Sequence, residues 1–228
     1  MTRQKDTAMT DTILYDYWRS SASFRVRIAL HLKGIPFTSV AVNLQDGSHR
    51  SAAHLARNPQ GYVPALAIDG MMMTQSLAIL EYLDARTAQS PLMPRDPAAA
   101  ARLRAIAHAI AMDIHPICNP NVVAHHAAAF DGDADDKAAW MRHFIDKGLR
   151  AVETLAGNLT ALQGDTGSFL HGDAPGLADC VLVPQLYNAR RWGVDLAAMP
   201  RLVAIDAACM ALPAFRAAAP ETVKPADA

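Results

Sequence analysis

The chain has 228 residues, 51% of them hydrophobic, with 21 Lys and Arg against 22 Asp and Glu. So apolar a chain can bury one substantial core or two smaller ones in contact, which excludes a disordered polymer. A formal charge of -1 with no basic stripe excludes nucleic acid as a partner, and the absence of about 20 uninterrupted apolar residues excludes a spanning helix.

The start, "MTRQKDTAMTDT", is polar and lacks an apolar export core, so residues 1–11 read as a loose tail and the expected setting is the cytoplasm. "TILYDYW" reads as a strand ending in the polar turn "RSSAS". Phe24 to Lys33 reads as a helix stopped by Gly34 and Pro36. "FTSVAVNL" is a second strand and "SAAHLARN" a short helix. "ALAIDGMMMT" follows as a hairpin about its "DG" turn, where the three methionines read as packing residues. "SLAILEYLDAR" closes the half as a helix with Ser76 as its expected N-cap. The order β-α-β-α-β-β-α over residues 12–86 is that of a small mixed sheet with helices on both faces.

"TAQSPLMPRDP" holds three prolines in eleven residues, and a linker is expected over 87–96. Beyond it the chain is alanine-rich. Trp140, Phe144, Gly148, Leu149, Val152, Leu155, Leu159 and Leu162 recur at three- and four-residue steps, as one face of a long helix. An all-helical bundle is expected over 97–220, with 221–228 as a second loose tail.

Several signatures fail. "DGDADD" at 131–136 starts like a calcium loop, but Asp136 and Arg142 occupy the glycine and closing-acid positions, so a solvated loop is expected. Nine histidines form no HExxH, and no metal site is expected. The nucleotide-binding glycine motifs and GxSxG are absent. Cys118, Cys180 and Cys209 are too few and too scattered for a disulfide framework and read as small buried hydrophobes.

Three spots hold chemistry. Ser20, Ser21 and Ser23 lie at a helix N-terminus, where free N–H groups favour an anion; they can cap the helix or hydrogen-bond a bound thiolate. Pro64 precedes a strand, where a cis Val63–Pro64 bond would present the Val63 backbone to a peptide as a strand edge. Gln75 and Ser76 offer an amide and a hydroxyl at another helix N-terminus, which suits a carboxylate. Together they fit a small extended peptide with a thiol at one end and a carboxylate at the other, and glutathione is such a peptide. Arg25 and Arg27 read as ion-pairing residues on a helix flank.

In "YWRSSASFRVRIALHLKGIPF", "NPQGYVPAL", "TQSLAILEYLD", "DIHPICN", "GLADCVLVPQLYNARRWGVDL" and "LPAFRAAAP", between about Tyr15 and Pro220, the chain resembles the zeta-class glutathione transferases, the family of the maleylacetoacetate and maleylpyruvate isomerases. The resemblance implies an α/β thioredoxin-like domain, an all-α domain and a homodimer. It implies Ser20, with Ser21 beside it, at the glutathione sulfur. It places Val63 and Pro64 at the cysteinyl backbone, and Gln75 and Ser76 at the γ-glutamyl carboxylate. His115 and Asn119 would face the site, and Arg19 and Arg191 would hold a small dicarboxylate substrate. Arg190 is the rival of Arg191, because neighbours on a helix point roughly 100° apart.

The implied activity is glutathione-dependent cis–trans isomerisation of a maleyl keto acid in tyrosine or other aromatic catabolism. It needs a thiol acidified below the ~8.5 of ordinary cysteine and cations for a dianion. The same groups would serve conjugation or dehalogenation of small α-halo acids. Ala22 replaces the family's Cys or Thr, and a decayed site would leave a non-catalytic binding module. Pro120 and Asn121 stand where the maleylpyruvate branch carries arginines, and Gly176 where a capping Thr is usual.

Overall fold

The computed structural model describes residues 12–163 and 167–226. The first half runs β1 (Ile13–Asp16), α1 (Ser21–Leu32), β2 (Thr38–Ala41), α2 (Ala52–Leu55), β3 (Ala65–Ile68), β4 (Met71–Thr74) and α3 (Ser76–Arg86). The sheet order is β2-β1-β3-β4, with β2 parallel to β1 and both other pairings antiparallel. Local chemistry sets the ends. Ser20 Oγ accepts from Ser23 N–H to start α1, and Gly34, at φ +61, lets Ile35 N–H reach back to Leu30 C=O to stop it. Asp69 and Gly70 both have positive φ, as the two-residue hairpin turn requires. Asp69 then takes hydrogen bonds from Tyr82 Oη (2.5 Å) and from Arg86 Nε and Nη2, fastening the hairpin tip to α3.

Residues 87–96 contain neither helix nor strand. Lys33 Nζ holds their start, donating to Asp84 Oδ1 at 2.7 Å and to the carbonyls of Thr87 and Gln89. The helical half comprises α4 (Pro97–His108), a π-helical turn (Ala109–Ile114), α5 (Pro120–Ala129), α6 (Ala134–Gln163), α7 (Leu177–Arg191), α8 (Pro200–Met210), α9 (Pro213–Ala218) and α10 (Pro220–Val223). Helix α1 packs on α3, α7 and α9, so one core joins the halves through Phe24, Val26, Ile28 and Leu30. Asp179, buried near the start of α7, accepts from the amides of Gly176 and Leu170; burial pushes its pKa up to about 6.

Several expectations are corrected. The buried stripe of α6 is Met141, Ile145, Leu149, Val152, Ala156 and Leu159; Leu155 is 38% exposed, and the Leu162 side chain lies outside the described residues. Residues 131–133 form the solvated loop that was expected, but Asp133 and Asp136 also serve the helix that follows. They start α6, Asp133 Oδ1 taking the amides of Asp135 and Asp136 and Asp136 Oδ2 taking the amide of Asp133. Gln75, not Ser76, occupies the cap position of α3. Of the expected packing methionines, Met73 meets the core while Met71 and Met72 are exposed on the edge strand. Residues 221–223 belong to α10, and Lys224 Nζ lies 5.4 Å from the Trp18 ring centroid, so this stretch is docked; 1–11 and 227–228 lie outside the described residues. Gly176 is more than a missing cap, because a Cβ there would come 2.8 Å from the Leu92 carbonyl oxygen that accepts from Leu177 N–H.

Gly148 of α6 passes the π-turn so closely that a Cβ would overlap the Ile114 side chain. Gly148→Ala is therefore expected to cost about 1–3 kcal/mol through overpacking. A Cβ on Gly157 of the same helix meets only the flexible end of Arg201, and Gly157→Ala gains helix propensity of up to about 1 kcal/mol. Thermal melting of the two variants separates the effects; equal shifts would contradict the packing account.

Candidate functional site

Strand register gathers the three spots that the sequence marks out. Tyr15 lies opposite Ala65, and Ala65 opposite Thr74, so the end of β1, the start of β3 and the end of β4 form one row. The Ser20 turn, Val63–Pro64 and Gln75–Ser76 thus leave the sheet at the same end.

Each spot is shaped differently. Ser20 caps α1, and Ser21 Oγ donates to the Pro184 carbonyl of α7 at 3.5 Å, which sets the first turn of α1 against the helical half. The Val63–Pro64 bond is cis. His54 Nε2 and Asn58 Nδ2 both hold the Tyr62 carbonyl at 2.9 Å, fixing the loop just before it. The Val63 side chain is buried, and its backbone N–H and C=O have no hydrogen-bond partner among the described residues. Gln75 is held at φ +66, a conformation rare for a residue with a side chain, and its Nε2 donates to Gln60 Oε1 at 2.7 Å. Such outliers persist where the surroundings over-determine them, commonly at binding sites.

The helical half supplies the other wall. The π-turn ends at His115, whose N–H bonds Ile110 C=O five residues back. Burial, and then the nearby Arg25 guanidinium, push the His115 pKa down to about 3. His115 is therefore neutral across the ordinary pH range and offers hydrogen bonds rather than a proton-transfer acid. Folding excludes its charged form, so this group stabilises the fold above the ordinary value of 6.5, and its contribution is lost as pH falls from there towards 3. Asn119 caps α5, accepting from Asn121 N–H at 3.3 Å, and Asn121 Nδ2 reaches across to Tyr62 Oη at 3.2 Å. That last contact bridges the two halves.

Two arginines mark the adjoining edge. Partial burial and the neighbouring charge of Arg19 hold the Arg191 pKa below the ordinary arginine value. Two cations within mutual influence, with no carboxylate on either among the described ion pairs, favour an anionic ligand. Arg190 points elsewhere and pairs with Asp206 of α8 at 2.6 Å. The docked C-terminus borders this edge: burial, and then the Glu221 carboxylate, raise the pKa of Tyr187, which also feels Arg191 and Arg19. Among the described residues no three His, Cys, Asp or Glu side chains converge on a metal position. No described helix is long and apolar enough to cross a membrane.

Arg25 and Arg27 are the largest departure from the sequence expectation. Both are buried rather than on a flank, Arg27 in an ion pair with Asp16 at 2.7 Å and Arg25 with one hydrogen bond, to Ser76 Oγ at 3.2 Å. Gln60, Tyr62 and Asn121 were also missed, since each acts through a partner that only the fold brings near.

Comparison with known proteins agrees with this geometry. Residues 10–85 match the model of the glutathione S-transferase N-terminal domain and residues 138–220 that of the C-terminal domain. The chain is 54% identical to maleylacetoacetate isomerase of Rhizobium meliloti strain 1021, over 94% of this chain and 99% of that one. A holo maleylpyruvate isomerase, described as a bacterial zeta-class glutathione S-transferase, superimposes with a TM-score of 0.88 at 42% identity, covering 93% of this chain and 98% of that one. Maleylacetoacetate isomerase from Methylobacterium extorquens AM1, with bound malonate and glutathione, gives 0.87 at 38% identity, covering 93% and 98%. With both domain models matched and relatives covering nearly the whole chain, the protein belongs to the glutathione S-transferases, in the zeta class of the maleylacetoacetate and maleylpyruvate isomerases.

Proposed function

We propose that this protein catalyses the glutathione-dependent cis–trans isomerisation of a maleyl keto acid, maleylacetoacetate or maleylpyruvate, to its fumaryl form. The observation that carries the reading is the convergence of Ser20, the free Val63 backbone and Gln75–Ser76 at one end of the sheet, beside Arg19 and Arg191. The residues fit the peptide: an unsatisfied strand-like backbone flanked by two helix N-termini matches its length, its thiol and its carboxylate.

Bound glutathione supplies a thiolate that adds reversibly to the conjugated double bond, so that the bond can rotate before elimination. The protein's part is electrostatic. Ser20 and the first turn of α1 direct hydrogen-bond donors and the positive helix end at the sulfur, which lowers the thiol pKa. Val63 aligns the cysteinyl unit, and Gln75 and Ser76 take the γ-glutamyl carboxylate. Arg19 and Arg191 hold the substrate's carboxylates through bidentate forks. No net proton is gained or lost, and a neutral His115 suits that chemistry. A homodimer in the cytoplasm completes the proposal, and the apolar edge that Met71 and Met72 expose on β4 supports the pairing alone.

Proton NMR of the product tests the reaction class. Fumaryl product with glutathione recovered unchanged is expected; stoichiometric consumption of glutathione would replace isomerisation by conjugation. Arg191→Met is expected to raise KM for the keto acid about tenfold while changing kcat little, the signature of lost substrate binding. Arg190→Met should leave KM alone and lower thermal stability, since it strips Asp206 of its partner. The reverse pattern would transfer the substrate role to Arg190.

A further inference from the structure

Three cations are deeply buried in the described chain, and only two of them have carboxylate partners. Arg27 is met by Asp16 and Lys33 by Asp84, each at 2.7 Å. Arg25 is 2% exposed, has no carboxylate within ion-pair distance among the described residues, and leaves Nε and Nη2 without partners. Burying an unpaired charge is costly, so buried charges are normally paired or fully hydrogen-bonded. The neighbouring His115 brings no relief, because it is neutral. Nothing among the described residues supplies the counter-charge of Arg25, and its one hydrogen-bond partner belongs to the proposed carboxylate site. Its Nη1 donates to the hydroxyl oxygen of Ser76, the first residue of α3.

We propose that Arg25 is a positioning residue for the γ-glutamyl carboxylate of the bound peptide, acting through Ser76. By donating to Ser76 Oγ it occupies an acceptor lone pair, so the hydroxyl proton turns outward and donates to the ligand carboxylate. A hydroxyl that accepts from a cation is also the stronger donor, because hydrogen bonds in a chain polarise one another. The carboxylate then provides the charge that α1 lacks. Arg25 and Arg27 thus divide the work of a pair that looks equivalent in the sequence: Arg27 is neutralised inside the fold, and Arg25 is completed by the ligand. The inference rests on glutathione as the bound peptide, and not on which keto acid is turned over.

Calorimetric titration of the full-length protein tests it with two peptides, glutathione and 4-aminobutyryl-Cys-Gly, which lacks only the γ-glutamyl α-carboxylate. Arg25→Met is expected to weaken glutathione about ten- to a hundredfold, the range for a hydrogen bond to a charged group. It should change the already weak binding of the truncated peptide less than about twofold. Arg25→Lys, which keeps the charge and a donor, should recover most of the affinity. In steady state KM for glutathione rises while kcat at saturating glutathione stays within about threefold. The Ser76→Ala background guards against a folding defect, because there Arg25→Met should lose most of its effect on glutathione.

Equal weakening of both peptides by Arg25→Met, or additive effects of Arg25→Met and Ser76→Ala, would overturn the proposal. A wild-type protein that binds neither peptide would overturn it together with the glutathione reading. A carboxylate-dependent Arg25 effect without keto-acid conversion would uphold it and end the isomerase reading alone.

Discussion

Ser20→Ala is expected to reduce turnover about ten- to a thousandfold, the loss that follows removal of a donor to a reacting anion. The hydroxyl stands at the first turn of α1, where it already accepts from Ser23 N–H at 3.3 Å. Its oxygen is therefore engaged by the helix, and its proton is free for a thiolate. Two consequences separate in the measurement. Loss of the cap lowers stability by about 1 kcal/mol, seen as a small drop in melting temperature. Loss of the donor raises the pKa of the bound thiol, so the rate should recover in part as pH rises. Ser20→Thr, which keeps a hydroxyl, should retain most of the activity. If Ser20→Ala turns over at the wild-type rate, Ser20 leaves the mechanism and Ser21, whose hydroxyl meets Pro184 C=O at 3.5 Å, becomes the group to test.

Arg27→Met is expected to have the largest effect on stability. The guanidinium makes two short contacts to Asp16, at 2.8 and 2.7 Å, and donates to the carbonyls of Trp18 and Ala218. One side chain thus ties α1 to the end of β1, to the turn that carries Arg19 and Ser20, and to α9. Breaking a buried pair from one side strands the other charge, at a cost of about 3–5 kcal/mol. For a chain of this size that corresponds to a fall of roughly 10 °C in melting temperature. Asp16→Asn combined with Arg27→Met should recover part of the loss, because the stranded carboxylate is gone. A melting temperature within two degrees of wild type for Arg27→Met alone would refute the structural role.

The contrast between those arginines and the motifs around them shows what a sequence can carry. Gly34, the Asp69–Gly70 turn and the Ser20 cap act through their own backbone or residues three or four away, and each was legible. The cis Val63–Pro64 bond was legible too, because it depends on local geometry at the start of a strand. Arg25 and Arg27 were not, since the spacing "FRVRI" is the same whether the side chains snorkel to water or turn into the core. What decides is Asp16, eleven residues away from Arg27, and Ser76, fifty-one from Arg25. The same limit explains Leu155. Its spacing fits the apolar face of α6, but the facing helices cover only part of that face. The π-turn before His115 has no local composition signal either. The docked C-terminus was hidden for a similar reason, because its anchors, Trp18 and Tyr187, lie in other elements.

Ultraviolet absorbance of maleylpyruvate and of maleylacetoacetate, each with purified protein and with or without glutathione, decides whether the protein is a glutathione-dependent isomerase. Rapid conversion of at least one acid, only when glutathione is present, is the predicted result and identifies the preferred substrate. No conversion of either acid while glutathione is bound would contradict the claim, turning attention to conjugation and to Ala22 beside the sulfur site.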